Sequence, residues 1–127
     1  MTKLFEAQSA VFTRLQSTLT SVEGVFDYVP DKTEFPYVVL GRTYATPNKT
    51  KTSTGERIEV TLDVWSDSKG KKETIKIVND IEASLTDELI VEGAFLIDQK
   101  INSIEVLEEV NNLYHGTVVF EILLDLE

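Results

Sequence analysis

Cysteine is absent from this chain of 127 residues, and histidine and tryptophan each occur once. Without cysteine there can be no disulfide framework, thiolate nucleophile or zinc-cysteine site, a composition that suits a reducing compartment. A zinc site or a Ser-His-Asp triad would have to combine His115 with dispersed carboxylates that show no recognisable spacing. We therefore expect no catalytic residue, no metal ligand and no cofactor. His115 precedes Gly116, and we interpret it as an exposed turn residue.

The chain also lacks long apolar runs and nucleotide-binding motifs. No segment approaches the roughly 18 apolar residues of a membrane span, and the N-terminus reaches Glu6 before an apolar signal region develops. We expect a soluble, unexported protein with no membrane partner. The segment 66–72 lacks the glycine and the final Ser or Thr of a phosphate loop, and the acids at 105–109 lack EF-hand spacing. A small enzyme or ligand-binding domain built from dispersed polar residues stays open as an alternative.

Positive charge is scarce in the C-terminal part of the chain. Residues 1–79 contain 11 Lys and Arg against 10 Asp and Glu, whereas residues 80–127 contain only Lys100 against 12 acids. The formal net charge of −10 disfavours DNA binding, because affinity for a phosphate backbone depends on cations. The acidic part alternatively suggests a mimic that binds a basic host protein.

Helical and strand periodicities alternate along the chain. Apolar residues at three- and four-residue steps predict one helix over Lys3–Leu19 and a second that carries Ile75, Val78, Ile81 and Leu85 after a cap at Asp67 or Ser68. Period-2 alternation and turn residues predict the strands. These are Val25–Val29, Tyr37–Ala45, Glu56–Ser66, Ala94–Gln99, Ile101–Val110 and Thr117–Leu126. The prediction is a single α+β domain, residues 1–127, with a mostly antiparallel sheet and two helices packed on one face.

A polar segment, Thr46–Gly55, separates the second and third predicted strands. It is longer than the two to five or so residues of usual hairpin loops, and longer loops are often functional. We predict a long flexible hairpin loop that contacts a partner protein. Its candidate interaction residues are Thr46, Asn48, Lys49, Thr50, Lys51 and Thr52.

Three further residues are predicted to lie on the sheet face away from the helices. Val119 and Leu123 alternate with the apolar row of the last strand, and Trp65 is opposite the apolar row of its strand. A neighbouring subunit could cover them, since aromatic residues are enriched in interface cores. A curled sheet or a loop of the same chain could cover them equally well.

Two short segments, Pro36-Tyr37-Val38 and Leu62-Asp63-Val64-Trp65, and the order of elements resemble the small tail completion proteins of long-tailed bacteriophages, also called tail-to-head joining or tail terminator proteins. The resemblance implies a structural virion protein without enzymatic activity, located at the head-tail interface of the virion and in the host cytoplasm during assembly. It implies a ring, expected to be a hexamer, that binds the tail tube protein and a head-completion protein. DNA would pass through its channel without specific binding.

Neighbouring assembly roles stay open at this stage. A head-completion or minor capsid protein of the head-tail connector would have a similar size and ring geometry, and only its partners would differ.

Overall fold

The structure, a computed structural model, describes residues 1–126 and contains two helices and one five-stranded sheet. In chain order the elements are α1 (Leu4–Thr18), β1 (Val25–Phe26), β2 (Tyr37–Lys49), β3 (Thr54–Ser66), α2 (Lys72–Ser84), β4 (Phe95–Glu108) and β5 (Tyr114–Asp125).

The strand order in the sheet is β1-β2-β3-β5-β4. Only the short β1 pairs in parallel with its neighbour, and the other three pairings are antiparallel. Strand β3 lies at the centre and pairs along its length with β2 and β5. The α+β prediction with a mostly antiparallel sheet is confirmed.

Both helices pack on the same face of this sheet. Side chains 58, 60, 62 and 64 of β3 and 118, 120, 122 and 124 of β5 are at most 1% exposed and form one apolar cluster with the helices. From the helices the cluster includes Ala7, Val11, Leu15, Ile77, Val78 and Ile81. Full burial of each large side chain contributes about 1.5–3 kcal/mol, so this layer is the main source of stability. Ile75, predicted on the inner side of α2, is instead 44% exposed.

The polar loop predicted over Thr46–Gly55 is mostly strand, and that part of the prediction is wrong. Strands β2 and β3 stay in register as far as the pair Lys49 and Thr54, so only residues 50–53 connect them. Strands pair through backbone hydrogen bonds, which do not require apolar side chains. Near its end this hairpin is polar on both faces, so the hydrophobic alternation in the sequence stops before the paired strands do.

Three smaller boundaries also differ from the prediction. The two strands predicted on either side of Lys100 are one strand, β4, with register shifts after Leu96 and Ile101. Strand β1 has two residues rather than five. Helix α2 starts after Lys71, without a side-chain cap from Asp67 or Ser68. Instead, Ser66 Oγ donates to Glu73 Oε1 over 2.6 Å, which fixes the entry to α2.

Candidate interaction surfaces

The hairpin tip, defined as residues 49–54, is the first candidate surface. Its connecting turn is held by its own hydrogen bonds: the Thr50 amide donates to the Ser53 carbonyl (3.0 Å), and the Ser53 amide donates to Thr50 Oγ1 (3.1 Å). Lys49, Thr50, Lys51 and Thr52 are exposed there. The local geometry thus presents four of the six predicted loop residues together. Thr46 and Asn48 lie within β2, half-buried and opposite Arg57 and Gly55.

The open face, defined as the side of the sheet away from both helices, is the second candidate surface. Trp65, Val119 and Leu123 all point to this face and are half-buried. Along β5, Leu123 is eight residues from His115, which pairs with Trp65. At about 3.4 Å per residue the two positions are roughly 27 Å apart, so they mark opposite ends of the face. Their role in binding stays a prediction.

His115 is part of the open face, and its assignment to an exposed turn is wrong. It lies in β5 with its side chain 19% exposed, and its ring stacks on Trp65 at 4.0 Å with a 9° tilt. His115 Nε2 is 2.7 Å from Asp63 Oδ1, and Nδ1 is 3.6 Å from Glu109 Oε2. The turn itself uses Asn111 and Asn112 at positive φ. The register between β3 and β5 brings Asp63, Trp65 and His115 together, and no local sequence signal encodes that register.

Charged groups around Glu121 occupy the middle of the open face. Glu121 lies 3.5 Å from Arg57 and 4.0 Å from Lys100. Asn102 Nδ2 donates to Glu121 (3.0 Å) and to Glu59 (3.1 Å). Because these carboxylates have partners already, the open face combines a satisfied polar network with half-buried apolar side chains at both ends.

A groove beside helix α1, called the α1 groove, is a third surface that the sequence did not reveal. It has a volume of about 440 Å³ between α1 and the segment 88–92. Phe5 and Ile90 line it with 75% and 90% of their areas exposed, and the acids Glu6, Glu88 and Glu92 lie around them. Phe5 lies in the first turn of α1. The helical phase that buries Ala7, Val11 and Leu15 turns it outward.

Two side chains fix the wall of the α1 groove. Arg14 of α1 donates to the carbonyl oxygens of Ser84 (2.8 Å), Asp87 (3.0 Å) and Glu88 (3.2 Å). Gln99 of β4 donates to the Leu85 and Asp87 carbonyls and accepts from the Leu89 amide, all within 2.9 Å. The segment that follows α2 is therefore held from both sides.

Within residues 1–126 the structure contains no group of three or more side chains arranged as metal ligands. None of the helices in the same range has the length and apolar character needed to cross a membrane.

A protein-family model described as "Tail completion protein gp17" matches residues 9–125. The chain belongs to the tail completion protein family. Among solved structures, a chain of the virion of a native gene transfer agent particle has a TM-score of 0.82 and 18% identity, over 93% of this chain and 93% of that chain. At that identity the likeness shows a shared fold alone. No curated protein matches the chain in sequence.

Membership in the tail completion family confirms the resemblance predicted from the segments around Tyr37 and Trp65, and it identifies a structural protein of the bacteriophage tail. The matched range contains the hairpin tip, the open face and most of the α1 groove, and it omits Phe5 and Glu6. All three surfaces can therefore be considered as contacts of a tail completion protein.

Proposed function

We propose that this protein forms a ring, composed of six copies, at the head-proximal end of the phage tail and joins the tail to the head. In this proposal the ring binds the tail tube protein on one side and a head-completion protein of the connector on the other. Its role in this proposal is to provide binding surfaces in a fixed arrangement and not to catalyse a reaction. The observation that carries the proposal is the family match over residues 9–125 on a fold whose sheet has one uncovered face.

The open face supports self-association or docking on the tail. Its apolar residues at the two ends, Trp65 and Leu123, are half-buried rather than enclosed, and no helix covers them within residues 1–126. A second protein surface would complete their burial, and interface cores are enriched in such aromatic anchors.

The edges of the sheet are less suited to contacts by strand addition. Strand β4 has two register shifts along its length, and β2 has one after Leu40 and also contains Pro47. Bulges and proline are common ways in which edge strands avoid pairing with other chains. The proposal therefore assigns the contacts of the ring to side-chain surfaces.

The charge of the chain fits a channel for DNA. Each copy adds a formal net charge of −10, so a ring accumulates negative charge. An acidic wall repels a phosphate backbone rather than retaining it. DNA would pass without specific binding. The protein would act at the head-tail interface of the virion after assembly in the host cytoplasm.

The proposal is tested by removing the gene from its phage and examining lysates by electron microscopy. The expected result is DNA-filled heads beside unattached tails, with attachment restored by the wild-type gene on a plasmid. A plasmid copy with an early stop codon is the matched control and should restore nothing.

Two other results would contradict joining. Empty heads would assign the protein to head completion, the neighbouring role at the connector. Complete infectious particles in normal yield would remove it from virion assembly altogether.

A further inference from the structure

The α1 groove combines exposed apolar area with negative charge. Phe5 and Ile90 are the most exposed large apolar side chains of its lining, and Glu88 and Glu92 are exposed beside Ile90. Charged residues usually dominate such exposed positions, and an exposed apolar patch with a polar rim marks an interaction site. Since Arg14 and Gln99 already hold its wall, the groove needs little ordering before it binds.

The hairpin tip has the complementary chemistry. Between Thr46 and Gly55 the chain has two lysines, Lys49 and Lys51, and no acid. Threonines surround the lysines, and their methyl groups add apolar area. The turn is also held by its own hydrogen bonds, so the lysines are presented on a formed hairpin.

The second cluster of exposed lysines along the chain, at positions 69–72, is a weaker match for the groove. Lys69 and Lys71 precede α2, Lys72 is its first residue, and acids lie on both sides of the three lysines at Asp67 and Glu73. Nearby carboxylates reduce the positive potential of that cluster. The tip is therefore the basic segment of this chain that best suits an acidic groove.

The tip and the groove are different patches of one chain, and this difference determines the kind of contact they can make. A contact between two different patches is heterologous, and repeated heterologous contacts close into a ring when the rotation between copies permits. The opposite charges of the two patches, two lysines at the tip and Glu88 and Glu92 at the groove, favour the same head-to-tail arrangement.

We propose that the hairpin tip of one copy docks in the α1 groove of the next copy. Lys49 and Lys51 face Glu88 and Glu92, and the threonine methyls pack against Phe5 and Ile90. The contact rests on the ring of the proposed function and identifies the surfaces that close it.

The first test reverses the charge of each patch separately. Lys49→Glu/Lys51→Glu changes the tip, and Glu88→Lys/Glu92→Lys changes the groove. Rings on isolated phage tails are counted by electron microscopy after adding the full-length chain. Either variant alone should reduce occupied tail ends by at least about tenfold. An equimolar mixture of the two should restore them, because every contact in an alternating six-membered ring is then between opposite charges.

The matched control is Lys69→Glu/Lys71→Glu, which reverses two lysines outside the proposed contact. It should assemble as wild type and should not rescue the groove variant. Rescue by mixing also excludes misfolding as the cause of the single-variant defects, because a misfolded chain has no intact surface to restore.

A second test uses the natural absence of cysteine. Chains with Thr52→Cys and chains with Ser9→Cys are mixed on tails under mild oxidation. A disulfide-linked dimer of the two different chains is expected, and Thr52→Cys mixed with Ser68→Cys should give none. A further chain carries both Thr52→Cys and Ser9→Cys. If its disulfide forms within one monomer, the tip occupies the groove of its own chain and not that of a second copy.

The outcomes separate this contact from the proposed function. Suppose that the wild-type chain forms rings, that both charge-reversal variants also form rings, and that tip and groove give no crosslink. The docking contact is then overturned, and the ring of the proposed function stands. If the wild-type chain forms no ring on tails at all, both proposals fail.

Discussion

At the scale of single residues, Glu56 connects the N-terminus of α1 to the sheet. Glu56 is only 7% exposed, and its carboxylate accepts from Thr2 Oγ1 (2.5 Å) and from the Lys3 amide (2.8 Å). Helix N-termini have unpaired amides and a positive partial charge, so a carboxylate at this place is favourable on both counts. A buried acid in an otherwise apolar row of β3 is explained by this contact.

Replacing Glu56 with glutamine should reduce the free energy of unfolding by about 1–2 kcal/mol, because the charge and one acceptor of these hydrogen bonds are lost. Urea denaturation followed by circular dichroism measures the change. Glu105→Gln is the control, since Glu105 is exposed on β4, and it should change stability by less than about 0.5 kcal/mol. Equal stabilities of the two variants would contradict the anchoring role.

Asp80 on α2 provides a prediction on pH. A hydrogen bond from Ser21 Oγ (2.8 Å), then one from Lys76 Nζ (3.1 Å), lowers the pKa of the Asp80 carboxyl. A lowered pKa in the folded state stabilises the protein above the ordinary carboxyl pKa, and this contribution is lost as pH falls through the folded value.

Asp80→Asn should therefore destabilise the protein slightly near neutral pH, by less than about 1 kcal/mol because the group is solvent-screened. The difference from wild type should shrink once the pH falls below the ordinary carboxyl range. Thermal unfolding of both proteins from neutral to acidic pH measures it. A difference that stays constant down to acidic pH would show that the ionised carboxylate is not the source.

At the scale of elements, the β2–β3 hairpin depends on a close backbone approach at Gly55. A Cβ at this position would lie 2.7 Å from the Leu124 carbonyl oxygen and 2.9 Å from that of Asn48. Both contacts are with backbone atoms, which a rotamer change cannot relieve. Glycine at the base of the hairpin tip thus allows β2, β3 and β5 to continue side by side.

Gly55→Ala should cost about 1–3 kcal/mol, because the strands must move apart to admit the methyl group. Chemical denaturation gives the cost, and amide hydrogen exchange should be faster at Lys49 and Thr54 than at the distant pair Val38 and Val64. Thr54→Ala is the neighbouring control and should stay within about 1 kcal/mol of wild type. A Gly55→Ala protein as stable as that control would show that the neighbouring strands can accommodate a methyl group at position 55.

The elements also show what the sequence can and cannot predict. Both helices and the central strands were predictable, because residues such as Val11, Leu15, Val60 and Leu62 follow the period of an element with one buried face. The hairpin tip and the continuity of β4 were not. Residues there are polar on both faces, as at Lys49 and Lys100, and backbone pairing leaves no hydrophobic pattern.

The candidate surfaces were predictable to different degrees for the same reason. Alternation along β5 was enough to place Val119 and Leu123 on the open face, since neighbouring residues in a strand point to opposite sides. The cluster of Asp63, Trp65 and His115 depends on the register between β3 and β5, and the α1 groove depends on how the segment after α2 folds back. Both arise from pairings distant in sequence.

At the scale of the whole molecule, the two faces of the sheet differ in how much apolar side-chain area stays accessible to a partner. The inner face is filled by α1 and α2 around Phe120, whereas the open face combines half-buried Leu123 and Trp65 with the ion pairs of Glu121. Such a mixed surface exposes little apolar area to water and still offers apolar anchors to a partner. In the proposed function, this combination would let the chain stay dispersed until its binding site on the tail exists.

Leu123→Lys should therefore leave the fold intact and prevent assembly. Leu123 lies between Arg57 of β3 and Asp98 of β4, so an introduced lysine is repelled by Arg57 and attracted by the carboxylate of Asp98. Because these effects oppose each other, the loss of stability should stay below about 2 kcal/mol. At an interface core the same lysine has to be desolvated, which should reduce the amount of protein bound to isolated tails by at least about tenfold. Circular dichroism and sedimentation with tails measure the two effects.

The control for this variant is Ile75→Lys, because Ile75 is 44% exposed on α2, on the other side of the molecule. It makes the same change of an apolar side chain to a cation, and its binding to tails should equal that of the wild type. Loss of binding in both variants would point to a general effect of charge. Normal binding by folded Leu123→Lys would show that the open face stays exposed in the assembled tail and contacts neither the tail nor a neighbouring copy.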